Sequence, residues 1–461
     1  MTGSLTKPQK PKINMLEGPL FANIIRYTVP IALTSILQLL FNATDLVVVG
    51  QFCGETSVAA VGNSGVIINL IVNLFIGLSV GASVSVAYAL GAHNSEDVHK
   101  AIHTAIPTAV ASSVIITIVG ITFAETFLKL MSTPENVLKL SALYMRIYFA
   151  GSVFMLLYNF SAAILRAAGD TKSPLIYLTI AGVINVILNL IFIVVFHLDV
   201  AGVALATTIS QGVSAVLVMR ALMKRTDACK LVLSKLRFYK KPLLRIIRIG
   251  LPAGIQGSLF SISNVIIQTS VNSFGEILMS GNAASSNIES FIYAVLNSFH
   301  QTALNFIGQN MGASKYQRAK KVLWICLRSV FVITLVLGGI VVLFGEPLLS
   351  IYIPNSQEAV QWGLVRLTLI CLPYCICGLM DVTTGALRGM GASLVPMLIS
   401  VIGVCGIRIA WIATIFQIPR FHTPQCLYLS YTVSWSVTFL AQLIAFYLVF
   451  RQRTKPNSEF I

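Results

Sequence analysis

Acidic side chains are scarce in this sequence. The 461-residue chain holds 16 Asp and Glu against 32 Lys and Arg, and charged residues of both signs make up only 10% of it. Soluble domains run near one quarter charged. The shortage therefore excludes an ordinary water-soluble protein, and with 56% hydrophobic residues most of the chain must sit in lipid or protein interior. Short alternating segments of transmembrane barrels are also missing, which leaves helices. No signal-peptide pattern is visible, since the first apolar run is too long for a signal h-region and lacks a small-residue cleavage site. The cysteine group "CLPYCIC" (371–377) has no His, Asp or Glu interleaved with it, so its residues read as small hydrophobes, not metal ligands.

What is present is a series of apolar runs of bilayer-spanning length. Twelve candidate spans fall at approximately 24–49, 58–90, 101–123, 137–163, 175–196, 200–222, 249–271, 282–308, 322–344, 359–387, 395–417 and 427–450. The net charge of +16 lies in short connectors and not on a polar domain, so it speaks for membrane topology and against nucleic acid as a partner. The connectors "QFCGETS" (51–57), "HLDVAG" (197–202) and "GEPLLSIYIPNSQE" (345–358) carry no Lys or Arg. The opposite side holds Lys7, Lys10, Lys12, Arg166, Arg388, Arg451 and the basic central connector 224–248. The positive-inside rule then predicts both termini and that connector in the cytoplasm.

The chain repeats itself. "ILRAAGDTKSP" (164–174) aligns with "ALRGMGASLVP" (386–396), Pro30 with Pro252, and "YALGAHN" (88–94) with "QNMGASK" (309–315), all at nearly one offset. Six helices separate the copies, so direction is preserved and the halves are parallel repeats about an axis along the membrane normal. The expected fold is an all-α integral membrane protein of two six-helix lobes. Its divisions are a tail 1–23, an N-lobe 24–223, a basic linker 224–248, a C-lobe 249–450 and a tail 451–461. Such a duplication encloses a cavity and suits alternating access.

Three acids fall inside the expected spans: Asp45, Glu289 and Asp381. Ionisable groups at membrane depth are costly and point to function or to a buried pair. Asp45, Asn185, Asn189 and Thr207 lie at similar depth, and the two asparagines share a helix face at i, i+4. Four oxygen-bearing side chains there can hold a proton on the carboxylate, or a sodium ion if they converge; the alternative is a hydrogen-bonded helix contact. In the second half Glu289 shares its depth with Arg408 and Arg366, and a Glu289–Arg408 pair is expected. Asp381 and His300 lie deeper, near one another, and Arg146 has no acid that the sequence assigns to it.

The segments "PIALTSILQLLFNATDLVVVGQFCG" (30–54), "ILRAAGD" (164–170), "NVILNLIF" (185–192), "GLPAGIQ" (250–256), "AASSNIESFIYAVLN" (283–297), "GQNMGA" (308–313) and "ALRGMG" (386–391) resemble the multidrug and toxic compound extrusion (MATE) family of cation-coupled antiporters, over roughly residues 15–450. The resemblance implies export of amphipathic, often cationic compounds driven by H⁺ or Na⁺. It also implies a multi-pass protein of the bacterial plasma membrane that works as a monomer, without a cofactor. It matches Asp45 to the family's first-helix carboxylate, Pro30 to its helix-bending proline, and Asn185, Asn189 and Thr207 to polar partners on the fifth and sixth helices. There are departures. Some relatives carry Asp where this chain has Asn189, and Glu near "LFSISN" (259–264); Asp381 is displaced by about one turn. A second-lobe sodium site is therefore not expected. The competing readings are a lipid-linked-sugar flippase of the wider superfamily, which a cavity lined by Arg146, Arg366 and Arg408 would favour, and a membrane-embedded enzyme. The second lacks a nucleophile–base pair or a metal-ligand cluster with convincing spacing.

Overall fold

In lipid, backbone N–H and C=O groups find no water, so a spanning segment must satisfy them within itself. The computed structural model obeys this throughout. It describes residues 13–131, 133–354 and 356–455, all helices and connectors with no strand among them; Lys7, Lys10, Lys12 and the ends of both tails lie outside the described residues. The first half runs α1 Leu20–Phe52, α2 Glu55–Gly91, α3 Ser95–Leu130, α4 Glu135–Ala150, α5 Ser152–Ala167, α6 Lys172–Leu190 and α7 Asp199–Met223. The second runs α8 Lys240–Asn272, α9 Glu276–Gly312, α10 Tyr316–Leu343, α11 Gly345–Tyr352, α12 Gln357–Cys371, α13 Tyr374–Gly389, α14 Leu394–Ser400, α15 Ile407–Ala413 and α16 Pro424–Arg453. A π-turn, Ile191–Val195, extends α6, and another, Val401–Gly406, joins α14 to α15.

The duplication is visible in the backbone. α2 and α9 each have 37 residues and start after a glycine at positive φ, Gly54 at 87° and Gly275 at 94°. The connectors that follow turn at His93 (53°) and Ser314 (55°), and the later pair at Gly169 (83°) and Gly391 (81°). These left-handed conformations disfavour most side chains. Their recurrence at corresponding places marks two copies of one chain path.

Among the described residues nine helices are long and apolar enough to cross a membrane, and eleven spans result when α4 with α5 and α12 with α13 are each counted as one. The twelfth, α9, contains the run expected at 282–308 but is more polar than the others, carrying Glu289, His300, Gln301, Asn305 and Gln309 on a helix whose inner turns are almost wholly buried in protein. The straight spans expected at 137–163 and 359–387 are instead bent by 47° and 43°. Gly151 sits at the first break, packed against Thr208 so closely that a Cβ would collide. Pro373, which cannot donate a ladder hydrogen bond, sits at the second. Helix also runs past the lipid limits that hydropathy suggests: α1 begins at Leu20, α16 reaches Arg453, and α8 begins at Lys240, inside the expected 224–248 linker. The linker's remaining residues are docked on α3. His103 Nε2 accepts from Val232 N (3.1 Å), and Thr104 Oγ1 from Tyr239 N (3.2 Å).

There are two buried apolar cores, one largely in each half, with Ile24, Tyr27 and Ile31 of α1 packed into the second and Ile246 of α8 into the first; the halves meet most tightly where small residues let backbones touch. A Cβ on Gly77 or Gly254 would strike the backbone of the facing helix, α8 and α2 respectively. Toward the end of the molecule that bears the described termini the contacts multiply. Thr28 and Thr302 hydroxyls share a hydrogen bond of 2.8 Å, Gln309 Nε2 donates to the Ala167 carbonyl (2.7 Å), and Tyr27 packs edge-on against Phe306. The segment before α1 bridges both halves there. Ile13 N donates to the Gly169 carbonyl (3.3 Å) and Asn310 Nδ2 to the Met15 carbonyl (3.1 Å). The halves close on one another at this end and enclose a cavity beyond it.

Candidate functional site

That cavity has a volume of about 640 Å³ and is walled by both halves, a size suited to a drug-like molecule. Its wall is unusually rich in carboxamides, among them Gln38, Asn42, Asn73, Asn159, Asn297 and Gln301, interleaved with Phe41, Tyr148, Tyr158 and Tyr293. Carboxamides offer both donors and acceptors without charge, and the rings offer apolar faces. Such a surface accepts amphipathic molecules of varied shape.

Among the described residues Asp45 is the single carboxylate of the lining. α1 brings it against α6 and α7, an approach that depends on Gly182, since a side chain there would occupy the space of the Phe41 ring. Asn189 Nδ2 donates to Asp45 Oδ1, and Thr207 Oγ1 donates to Asp45 Oδ2 at 3.4 Å. Asn185 closes the group: its Nδ2 donates to Thr207 Oγ1 (3.4 Å) and its Oδ1 accepts from Asn189 Nδ2 (3.3 Å). All four residues singled out in the sequence therefore converge. Asn189 is fully buried, and its Oδ1 is left with no donor among the described residues. A buried acceptor without a partner costs about 1–3 kcal/mol, and it stands beside the one carboxylate. Pro30 lies inside α1 about 22 Å from Asp45 along the axis. The helix continues through it, and Thr34 Oγ1 donates to the Pro30 carbonyl (2.7 Å).

The second half differs from expectation. Glu289 pairs not with Arg408 but with Arg366, whose Nε and Nη2 donate to Glu289 Oε1 and Oε2, each at 2.8 Å. The two side chains are 6% and 8% exposed, a buried bidentate pair, and Arg366 Nη1 adds a bond to Asn282 Oδ1. Depth placed all three charges together; the rotation of α12 about its axis chose the partner. Arg408 instead donates from Nε to Ser434 Oγ (3.0 Å) and lies over the Tyr431 ring at 4.0 Å and the Trp435 ring at 5.6 Å. The pattern Tyr431, Ser434, Trp435 puts two rings and a hydroxyl on one helix face, and was the overlooked sign of a seat for a cation. His300 does meet Asp381, through the latter's backbone: its Nδ1 lies 2.8 Å from the Asp381 carbonyl and its Nε2 3.4 Å from Arg388 Nη1. Arg146 pairs with Glu125 at 2.9 Å in a half-exposed position. Arg146, Arg366 and Arg408 do not line the cavity, so the arginines that would have favoured a flippase lie elsewhere. Arg166 and Arg388 do line it, which sequence reasoning missed although it had paired them as repeat equivalents.

A duplicated helical membrane protein with a polar cavity between its halves belongs, by architecture, with multi-pass transporters. The family model MatE matches the chain twice, over residues 30–191 and 252–413, and the protein belongs to that family. Among its relatives, the probable multidrug resistance protein YpnP of Bacillus subtilis (strain 168) is 26% identical over 395 residues, covering 85% of this chain and 87% of its own. The probable multidrug resistance protein YoeA of the same organism is 28% identical over 390 residues, covering 83% and 84%. The crystal structure of a MATE protein in complex with MaL6 superposes with a TM-score of 0.89 at 19% identity, over 96% of this chain and 99% of that one.

Proposed function

We propose that the protein is an antiporter that exports amphipathic drug-like compounds, cationic ones included, through the cell membrane, driven by an inward H⁺ or Na⁺ gradient. The single observation that carries this reading is Asp45: a carboxylate inside the membrane, facing the cavity and held by Asn189 and Thr207. A proton there would use the carboxylate alone. A sodium ion would use it together with the oxygens of Asn185, Asn189 and Thr207, and the donorless Asn189 Oδ1 is suited to that. The ion and the substrate must prefer different access states for their movements to be coupled. Contacts between the halves concentrate at the end bearing the termini, while Asp45 lies toward the other. With the termini in the cytoplasm, as the connector charges favour, this arrangement faces outward. Pro30 removes one hydrogen bond from α1 and gives the helix a place to bend between states.

The test uses purified protein in liposomes loaded with rhodamine 6G, with a proton gradient and a sodium gradient imposed separately. The dye should move against its own gradient under at least one of them, and not without either. Dye movement indifferent to both gradients would refute the reading.

A further inference from the structure

The charges on the cavity wall are not those of a site for cations alone. Against one carboxylate, Asp45, the lining sets two guanidinium groups, Arg166 and Arg388, one from each half. They close the last turns of α5 and α13 and occupy corresponding places in the repeat, so they approach the axis between the halves from opposite sides. A chain of contacts ties their surroundings together. Arg388 Nη1 meets His300 on α9 (3.4 Å); one and a half turns along α9, Asn305 Oδ1 accepts from Ser83 Oγ (2.8 Å); and Ser83 Oγ also reaches the Ala163 carbonyl (3.3 Å), one turn before Arg166. Both cations thus belong to the floor of the cavity. Asp45 is far above it: the Arg166 carbonyl accepts from Tyr27 Oη (2.8 Å), and Tyr27 lies about 27 Å from Asp45 along α1.

Neither guanidinium is fully satisfied. Arg166 is partly buried, and its side chain makes no hydrogen bond or ion pair among the described residues. The nearest acid in sequence, Asp170, is engaged by the backbone N–H (3.0 Å) and hydroxyl (2.7 Å) of Ser173. Arg388 is 7% exposed and donates from Nη2 to Gln256 Oε1 (2.9 Å), while its Nε has no partner. Asp381, two turns earlier on α13, opposes its charge without a hydrogen bond to it among the described residues. Holding unpaired guanidinium groups at membrane depth is costly, and a cavity floor is where a ligand can supply the missing acceptors.

We propose that the Arg166–Arg388 floor is an anion subsite that takes the carboxylate, sulfonate or phosphate end of an amphipathic substrate, whose apolar body lies along the tyrosines above. This rests on the reading of the cavity as the substrate site, and it adds to the substrate class compounds with one anionic end, zwitterions among them. Guanidinium forks match such groups bidentately.

The experiment compares rhodamine B with its ethyl ester, one ring system that differs in a single free carboxylate. Binding to the purified full-length chain in detergent is followed by fluorescence polarisation. The acid should bind about tenfold more tightly than the ester, the scale of a charge-assisted bond pair. Arg166→Gln should abolish that preference, and Arg166→Lys should keep part of it. Arg146→Gln, which removes a pair outside the cavity, should leave it intact. Equal affinity for acid and ester, no binding of either, or a preference that survives Arg166→Gln would each overturn the proposal. Phosphatidylglycerol that displaces the acid where phosphatidylcholine does not would assign the subsite to a lipid headgroup; no displacement by either would assign it to a soluble anion. Equilibrium binding needs no gradient, so an anion preference in a protein that fails to couple export to an ion would leave the subsite standing and refute only the coupling.

Discussion

Replacing Glu289 with glutamine would strand the Arg366 guanidinium in the core of the second half. In the native protein two bonds of 2.8 Å join the pair, and both side chains are less than a tenth exposed. With charge centres about 4 Å apart, their attraction is roughly 4 kcal/mol at an effective dielectric of 20. Asn282 and the Tyr428 ring, 5.5 Å away, would remain around the cation but carry no formal charge. The expected loss is about 3–5 kcal/mol, the range for breaking a buried pair from one side. Unfolding in dodecyl maltoside micelles with rising SDS, followed by tryptophan fluorescence, measures it. Adding Arg366→Met should return at least half of the loss, since no stranded charge remains. Adding Arg408→Met should not, because Arg408 is held by Ser434 and Tyr431. Strictly additive losses for Glu289→Gln with Arg366→Met would refute direct coupling, and with it the account of why these charges are tolerated at that depth.

Three further outcomes are expected. Asn189→Ala, which removes the donorless oxygen beside Asp45, should raise the sodium concentration needed for half-maximal export; an unchanged sodium dependence would place the ion elsewhere. Gly254→Ala would drive a Cβ into the Leu74 carbonyl and should cost about 1–3 kcal/mol in the same unfolding assay, whereas Gly257→Ala, whose Cβ would meet only the Asn73 side chain at 3.5 Å, should be nearly neutral. For orientation, an impermeant thiol reagent applied to intact cells should label Glu346→Cys and spare Lys235→Cys, and the reverse pattern would invert the topology.

Helix-level features were legible in the sequence because lipid imposes them. The apolar runs located the spanning helices, and the offset between "ILRAAGD" and "ALRGMG" gave the duplication that the paired left-handed turns repeat. The Asp45 group was legible for a related reason: depth follows from counting residues along a helix, and Asn185 and Asn189 share a face by spacing alone. Rotation about the helix axis is not encoded so plainly. Glu289, Arg366 and Arg408 all lie at one depth, and hydropathy cannot say which two face each other. The breaks at Gly151 and Pro373 were hidden inside continuous apolar runs, since glycine and proline are tolerated in membrane helices where neighbours satisfy the freed groups. In the sequence Arg166 is only an inside charge at a span end, because a sequence does not reveal which end residues turn toward an internal cavity.

The central claim is that Asp45 carries the coupling ion, and Asp45→Asn tests it most directly. Asparagine keeps the size and can still bond to Asn189 and Thr207, but it can neither gain nor lose the charge. In liposomes under the gradient that drives the wild-type protein, the variant should remain folded and should exchange rhodamine 6G across the membrane down its own gradient, yet fail to accumulate it uphill. Uphill export at the wild-type rate would contradict the account and leave Asp45 as a residue of helix packing.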